Sequence, residues 1–203
     1  MNKNYENFKQ AVAALSQPVI LLAGSRKVPV NQQEKLVRLS TFLANEFPKA
    51  IFRSGNADGS DALFAQGINA VAPERLQLVV PTPGHRKAHR NPDNMVFPLN
   101  NVSASSENVL ANLTNAATPE NQRIIDKRHE VPQLMSKARY LLRDTLMVHG
   151  DQGIGLAPAI AGIFFTSGDP MSGGTGHTIR VCRNHKVPDF LVQDWWRWVD
   201  AGN

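Results

Sequence analysis

Short, almost continuous apolar runs alternate along this chain with segments in which hydrophobic residues recur at helical spacing. The apolar runs cover residues 19–23, 51–54, 76–80, 160–165 and 190–192. Strands buried on both faces have this composition, because helices cover both faces of a parallel sheet. Between the first two runs, Leu36, Leu39 and Leu43 recur with a helical period before Pro48. The alternation predicts an α/β fold with a doubly wound, mostly parallel sheet.

The alternation is interrupted between His85 and Pro158. We expect a partly helical insertion there, about residues 85–157, within a single domain spanning residues 1–203. Thr118 and Pro119 have the pattern of a helix start, and Gly150 that of a helix end. The helices predicted here carry basic residues interrupted by acidic ones, which favours a solvated face over a binding site. The basic residues are Arg123, Lys127, Arg128, Lys137, Arg139 and Arg143, and the acidic ones are Asp126, Glu130 and Asp144.

Residues 194–201 predict a C-terminal helix capped by Asp194. Trp195 and Trp198 are expected to pack against the sheet or against a second subunit, which leaves a homo-oligomer open. Cys182 lies at helical apolar spacing and is expected to be a buried core thiol.

The amino-acid composition limits which binding partners and which cellular location are expected for the protein. The 203 residues include 22 Lys and Arg against 17 Asp and Glu, a net charge of +5, which favours an anionic partner. The single cysteine cannot form an internal disulfide, so a reducing, cytoplasmic location is expected. Because the N-terminal segment is polar and mixed in charge, it is not expected to act as a signal peptide. No apolar run approaches the roughly 20 residues needed to span a bilayer, so no membrane partner is expected.

Glycine-bearing turns follow three of the predicted strands and precede helices. Because the carboxyl ends of parallel strands share one edge of a sheet, these turns should converge there. Free N–H groups at helix starts attract anions, and glycine lets the backbone approach a phosphate closely. The predicted ligand-binding residues are Gly24, Ser25 and Arg26 in the first turn, Ser54, Gly55, Asn56, Asp58 and Asp61 in the second, and Thr166, Gly173, Gly174, Thr175, Gly176, His177 and Arg180 after the fourth run.

Within this set the residue types suggest different roles. Ser54, Gly55 and the 173–176 turn would hold phosphate, with Gly24, Ser25 and Arg26 flanking the ligand. Asp58 or Asp61 would accept a hydrogen bond from a ribose hydroxyl, or act as an acid or base. A structural alternative stays open for the second turn, where either aspartate could simply cap a helix.

The same turns carry a resemblance to a known group. Gly24-Ser25-Arg26, the segment from Arg53 to Asp61 (RSGNADGSD) and the segment from Ser172 to Thr178 (SGGTGHT) resemble, in order and spacing, motifs of the SLOG superfamily. This Rossmann-like group includes the LOG-type phosphoribohydrolases, the DprA DNA-processing proteins and the YspA-like proteins. The resemblance covers roughly residues 17–84 and 158–193, and it implies a nucleotide or nucleotide-derived ligand at the carboxyl edge of the sheet.

One departure bears on the reaction. The LOG-type hydrolases carry a catalytic glutamate at the position matched by Arg180 in this chain. An arginine cannot act as a general base at neutral pH. LOG-type phosphoribohydrolase activity is therefore disfavoured, and the sequence leaves open whether the protein is an enzyme.

The basic loop at residues 85–90 follows the third predicted strand, so His85 and Arg86 could clamp a phosphate at the same edge. A solvated loop is the alternative. His85 and His89 have no nearby third ligand, so no metal site is predicted.

Three functions remain open at this point. The favoured one is a sensor or binding protein for a small nucleotide-like ligand, with no other cofactor implied. The second is a hydrolase or transferase acting on a nucleoside phosphate or an ADP-ribose-like substrate. The third is DprA-like DNA binding, which the modest charge of +5 makes less favoured without excluding it.

Overall fold

The computed structural model describes residues 4–199. Its strands are β1 (Val19–Gly24), β2 (Ile51–Ser54), β3 (Leu76–Val80), β4 (Met95–Pro98), β5 (Ala161–Phe165) and β6 (Asp189–Phe190). Its helices are α1 (Tyr5–Ala13), α2 (Val30–Glu46), α3 (Ser60–Asn69), α4 (Ala104–Ala117), α5 (Gln122–Asp126), α6 (Pro132–His149), α7 (Gly173–Asn184) and α8 (Val192–Trp195). No helix within these residues is long and apolar enough to cross a membrane.

The strands form one parallel sheet in the order β4-β3-β2-β1-β5-β6. The chain builds outward from β1 in one direction and then returns to add β5 and β6 on the other side. This order confirms the predicted doubly wound α/β fold and makes it Rossmann-like. The gap between the carboxyl ends of β1 and β5 is the point where the strand order reverses.

Two apolar layers cover the sheet, as alternating strand residues require. Ile20 and Leu22 of β1 face a core with α1, α2, α3 and α8. Val19, Leu21 and Ala23 face a second core built with α4, α5, α6 and α7. Cys182 is a buried thiol of this second core, as the sequence predicts.

Residues 85–157, expected as an insertion, contribute both to the sheet and to one of its covering layers. They contain β4, which pairs with β3 at the sheet edge, and α4, α5 and α6. The helix start predicted at Thr118 is instead a single 3-10 turn, Pro119–Asn121, that precedes the short α5. The Thr118 hydroxyl donates to the Thr114 carbonyl and so closes α4.

The C-terminal helix has other boundaries than the predicted residues 194–201. Helix α8 begins at Val192, and the Asp194 carboxylate accepts the N–H of Leu191 at 2.8 Å. Residues 200 and 201 of the predicted helix lie outside the described residues. Trp195 donates through Nε1 to the Phe164 carbonyl at 3.0 Å, and Trp198 packs on Phe8, so both tryptophans dock on the domain core as predicted.

Candidate ligand-binding site

A cavity of about 630 Å³ opens at the carboxyl edge of the sheet, beside the point where β1 and β5 diverge. Ligands of doubly wound folds bind at this position, and the volume is within the range of small-molecule sites. Its wall consists of Ala23, Gly24, Arg26, Ala57, Asp61, Gln133, Ser136, Lys137, Tyr140, Leu141, Arg143, Asp144, Met147, Ser172, Gly173, Gly174, Thr175 and Thr178.

The N-terminus of α7 forms one side of the cavity. The Ser172 side chain does not cap the helix, and no acceptor within residues 4–199 meets the backbone N–H groups of Gly173, Gly174 and Thr175. Three free amides at the positive end of a helix dipole can hold an anion. Gly173 has φ of +59°, a conformation that favours glycine.

Two glycines of this turn have different reasons to lack a side chain. A Cβ on Gly174 would stand 3.4 Å from Asp144 Oδ2, an ordinary contact, so the bare backbone there is open to the cavity. A Cβ on Gly176 would overlap the carbonyl of Met171. Gly176 therefore closes the turn tightly and does not line the cavity, although the sequence placed it among the phosphate-binding residues.

Opposite this turn, Gly55 and Arg143 approach each other closely. Arg143 Nη1 donates to the Gly55 carbonyl at 2.5 Å, and a Cβ on Gly55 would overlap the guanidinium. Arg143 Nε lies 2.9 Å from Asp144 Oδ1 in a pair whose members are only 4% and 6% exposed. The second glycine turn is thus tied to α6 by a hydrogen bond from Arg143, whose charge is paired within α6 by Asp144.

Two buried carboxyl groups line the cavity, and both have raised pKa values. Burial raises the pKa of Asp61 above its ordinary value, against the opposing effects of Arg143 and of the Ala57 N–H, which donates to Asp61 Oδ2 at 3.2 Å. Burial also raises the pKa of Asp144 to about 6, although Arg143 and Arg26 favour the ionised form. Asp144 is therefore partly protonated just below neutral pH.

Two further cations lie on the cavity wall. Arg26 and Lys137 form no ion pair with a carboxylate of the described chain. The Arg26 guanidinium lies 5.7 Å from the centre of the Tyr140 ring, at cation–π distance. His85 meets the same ring edge-on at 5.7 Å.

Several predicted residues surround the cavity without lining it. Asn56, in a left-handed conformation with φ of 54°, donates to the His85 carbonyl at 3.3 Å. Asp58 is exposed and pairs with Arg86 at 2.6 Å. His85 and Arg86 are thus attached to the second turn, but neither is part of the cavity wall.

The remaining predicted residues of the edge have structural contacts. Ser25 Oγ accepts the N–H of Ser167 at 3.0 Å, and the Ser25 carbonyl accepts from Ser60 Oγ. Ser54 is fully buried, and no partner is found for its Oγ among the described residues. Thr166 follows β5 directly. None of Ser25, Ser54 and Thr166 is part of the cavity wall.

His177 and Arg180 are not brought into the cavity. The His177 ring is buried between α4, α6 and α7, where its nitrogens lie 3.0 Å from Thr118 Oγ1 and 3.1 Å from Thr145 Oγ1. Burial lowers its pKa to about 4, so the ring is neutral at pH 7. Arg180 instead lies 3.9 Å from Glu120.

Sequence reasoning missed the contribution of α6. It predicted a solvated face for Arg143 and Asp144, which is wrong, because both are buried. The signal that could have revealed this is a stripe at helical spacing on the predicted amphipathic helix. The α6 residues on the cavity wall are Gln133, Ser136, Lys137, Tyr140, Leu141, Arg143, Asp144 and Met147. Among residues 4–199, no three His, Cys, Asp or Glu side chains converge in a way that could hold a metal ion.

Strand order and site position define the chain as a Rossmann-like α/β protein with a candidate site at the carboxyl edge of its sheet. No family model and no curated protein matches the sequence. One solved structure that it resembles is DNA processing protein A from Helicobacter pylori, described for its single-stranded DNA binding mode. The identity is 12%, the TM-score 0.46, and the match covers 90% of this chain and 67% of that one.

Proposed function

We propose that this protein binds a nucleotide or nucleotide-derived ligand in the cavity, and that it is a single-domain member of the SLOG superfamily. The observation that carries the proposal is the open N-terminus of α7, whose free N–H groups at Gly173, Gly174 and Thr175 border a cavity of about 630 Å³. Phosphate would bind there, since free helix-start amides and the helix dipole both favour anions.

The other groups of the wall suit the rest of such a ligand. Ribose hydroxyls are hydrogen-bond donors, and Asp61 and Asp144 offer carboxylate oxygens to accept them. Arg26 is free of any ion pair and lies on the same wall, so it can balance phosphate charge. A wall that combines free cations with carboxylates fits a ligand that carries both phosphate and hydroxyl groups.

Titration calorimetry with ADP, AMP, adenosine and inorganic phosphate tests the proposal. ADP and AMP should bind with micromolar dissociation constants. Adenosine and phosphate alone should bind at least tenfold more weakly, because each supplies only part of the contacts. The proposal fails if neither nucleotide binds more tightly than inorganic phosphate does.

A hydrolase or transferase is the second candidate, and one observation favours it. Asp144 has a pKa raised to about 6 and lies on the cavity wall, so it could donate a proton to a leaving group near neutral pH. The LOG-type reaction stays disfavoured, because Arg180 matches the glutamate position. We expect no free adenine above background when AMP is incubated with the protein. Adenine release that Asp144→Asn abolishes would establish the enzymatic function instead.

DNA binding is the third candidate. The free cations Arg26 and Lys137 could contact the phosphates of a single strand as well as those of a small ligand. The salt dependence of binding separates these two cases, because a strand contacts more phosphate groups than a small ligand carries.

A further inference from the structure

The cavity is elongated along α6. Its α6 residues extend from Gln133 to Met147, which is about 21 Å of helix at 1.5 Å per residue. Asp144 faces the α7 N-terminus, since its Oδ2 lies 3.4 Å from the position of a Cβ on Gly174. The phosphate of the proposed function therefore occupies only one end of a longer groove.

Tyr140 lies one helical turn before Asp144 and is the one aromatic side chain on the described cavity wall. Its ring is partly exposed, with Arg26 near it at 5.7 Å. Nucleobases stack on exposed aromatic rings, and arginine guanidinium groups stack on bases in the same way. The ring is therefore placed to hold a base beside a phosphate bound at α7.

Lys137 lies one further turn along the same wall, about 10 Å of helix axis from Asp144. It is exposed to solvent and forms no ion pair with a described carboxylate. A single terminal phosphate at α7 would leave this cation in contact with solvent only. A second phosphate, on the far side of the nucleoside, would supply one.

We propose that the site takes a nucleoside unit flanked by two phosphate groups. One phosphate binds at the α7 N-terminus, the base stacks on Tyr140, and the second phosphate binds Lys137. This inference rests on the proposed function and specifies its ligand. The same chemistry occurs in a free nucleoside 3′,5′-bisphosphate and in one nucleotide unit of a single strand.

The test compares adenosine 3′,5′-bisphosphate with AMP by calorimetry. The wild-type protein should bind the bisphosphate at least tenfold more tightly than AMP. Lys137→Gln should weaken binding of the bisphosphate at least tenfold more than binding of AMP, so that the preference is lost. Lys49→Gln is the matched control: this exposed lysine lies just before β2, at the opposite edge of the sheet, and the preference should persist.

A second pair of variants tests whether a nucleobase stacks on the Tyr140 ring. Tyr140→Leu should weaken both ligands by about tenfold, since stacking of one base contributes about 1–3 kcal/mol. Tyr140→Phe keeps the ring and should bind both as the wild type does. A short oligodeoxyadenylate is the third ligand. If the protein binds it more tightly than the bisphosphate, and if Lys137→Gln weakens that binding, the bound unit belongs to a single strand. If the bisphosphate binds more tightly, the bound unit is a free nucleotide.

The outcomes against the inference are distinct. If AMP and the bisphosphate bind equally, or if Lys137→Gln weakens both by the same factor, the two-phosphate site is wrong while the proposed function stands. If the wild-type protein binds neither ligand, the proposed function fails and this inference fails with it.

Discussion

At the scale of single residues, the site depends on glycines whose missing side chains leave room beside the backbone for a charged group or a ligand. Gly55 lacks a side chain because the Arg143 guanidinium occupies the place of its Cβ. Gly174 has open space there, bounded by Asp144. Both glycines were predicted as binding residues on the same reasoning, yet the structure gives Gly55 an internal partner and leaves Gly174 for a ligand.

Gly174→Val should abolish nucleotide binding while the fold persists. The new Cβ meets only an ordinary contact with Asp144, but the two methyl groups would project over the free N–H groups of the α7 N-terminus. We expect at least a hundredfold loss of ADP affinity by calorimetry and little change in melting temperature.

Gly168→Val provides the control for this change. Its Cβ would enter open space, and the residue lies outside the cavity wall, so ADP affinity should remain at the wild-type value. If Gly174→Val binds ADP as tightly as this control, the phosphate does not bind at α7.

The pH dependence of ADP binding should show the effect of the charge on Asp144. An anion at the α7 N-terminus is repelled by the ionised carboxylate, so protonation of Asp144 should favour binding. Because the pKa of Asp144 is about 6, the carboxyl group is mostly ionised at pH 7.5 and gains protons as the pH falls to 5.5. ADP affinity of the wild type relative to Asp144→Asn should therefore increase as the pH falls.

The ratio of the ADP affinities of the wild type and Asp144→Asn is taken at each pH. This ratio cancels the titration of the ligand phosphate and of Asp61, because both proteins share these groups. A ratio that stays constant between pH 7.5 and 5.5, measured by calorimetry, would place the bound anion away from Asp144.

At the scale of elements, Arg53 fixes the position of α6 on the sheet. It lies in β2, fully buried, and its guanidinium donates to Gln77 Oε1 at 2.7 and 2.9 Å and to the carbonyls of Met147 and Ala157. It makes no ion pair with a described carboxylate, and burial lowers its pKa to about 9. Since Met147 lies on the cavity wall, this contact links the sheet to the site.

Arg53→Met should destabilise the protein by about 3 kcal/mol, because buried acceptors on Gln77, Met147 and Ala157 lose their donor. Urea denaturation measures the change. Arg38→Met, at an exposed position of α2, should have no measurable effect.

The double variant Arg53→Met with Gln77→Leu should recover part of the loss, since both partners of one contact are then apolar. An unchanged unfolding free energy in Arg53→Met itself would show that α6 is held by apolar packing alone.

The elements that could be predicted from sequence are those with an uninterrupted apolar signal. Residues 76–80 were predicted as a strand and form β3. Strand β4 was missed because its four residues are only half-buried and end in a proline, so they lack the apolar density of a central strand. The turns at β1, β2 and α7 could be located because glycine and strand ends mark them locally.

The rest of the site could not be predicted because it depends on contacts distant in sequence. Arg143 meets Gly55 across 88 positions, and His177 meets Thr118 across 59. A histidine in a glycine-rich turn has the same local pattern whether it faces a ligand or a core. Only the packing of α7 against α4 and α6 decides between these environments, and it directs His177 inward.

At the scale of the whole molecule, charge decides between a small ligand and a nucleic acid. The net charge is +5, and part of the basic loop is already occupied: Arg86 pairs with Asp58, and Arg90 Nη2 donates to the His85 carbonyl. The cations left free at the cavity, Arg26 and Lys137, can meet about two or three phosphates. This number matches a nucleotide or a single nucleotide unit better than a long strand.

We therefore expect no affinity tighter than micromolar for oligonucleotides near physiological salt. The logarithm of the binding constant should fall with the logarithm of salt concentration with a slope of about −2 for a single strand, since each phosphate contributes about −0.7. Fluorescence titrations of labelled single- and double-stranded oligonucleotides at two salt concentrations measure both quantities.

A protein that binds nucleic acid through many phosphate contacts would give a different result. Six or more phosphate contacts would give a slope on the order of −4 to −6 and sub-micromolar binding. If joint neutralisation of Arg86, Lys87 and Arg90 then abolished that binding while Lys49→Gln did not, the basic loop would be the contact surface of a nucleic-acid-binding protein. A shallow slope that the same triple substitution leaves unchanged assigns the phosphate contacts to the cavity itself, where Arg26 and Lys137 form no ion pair with a described carboxylate.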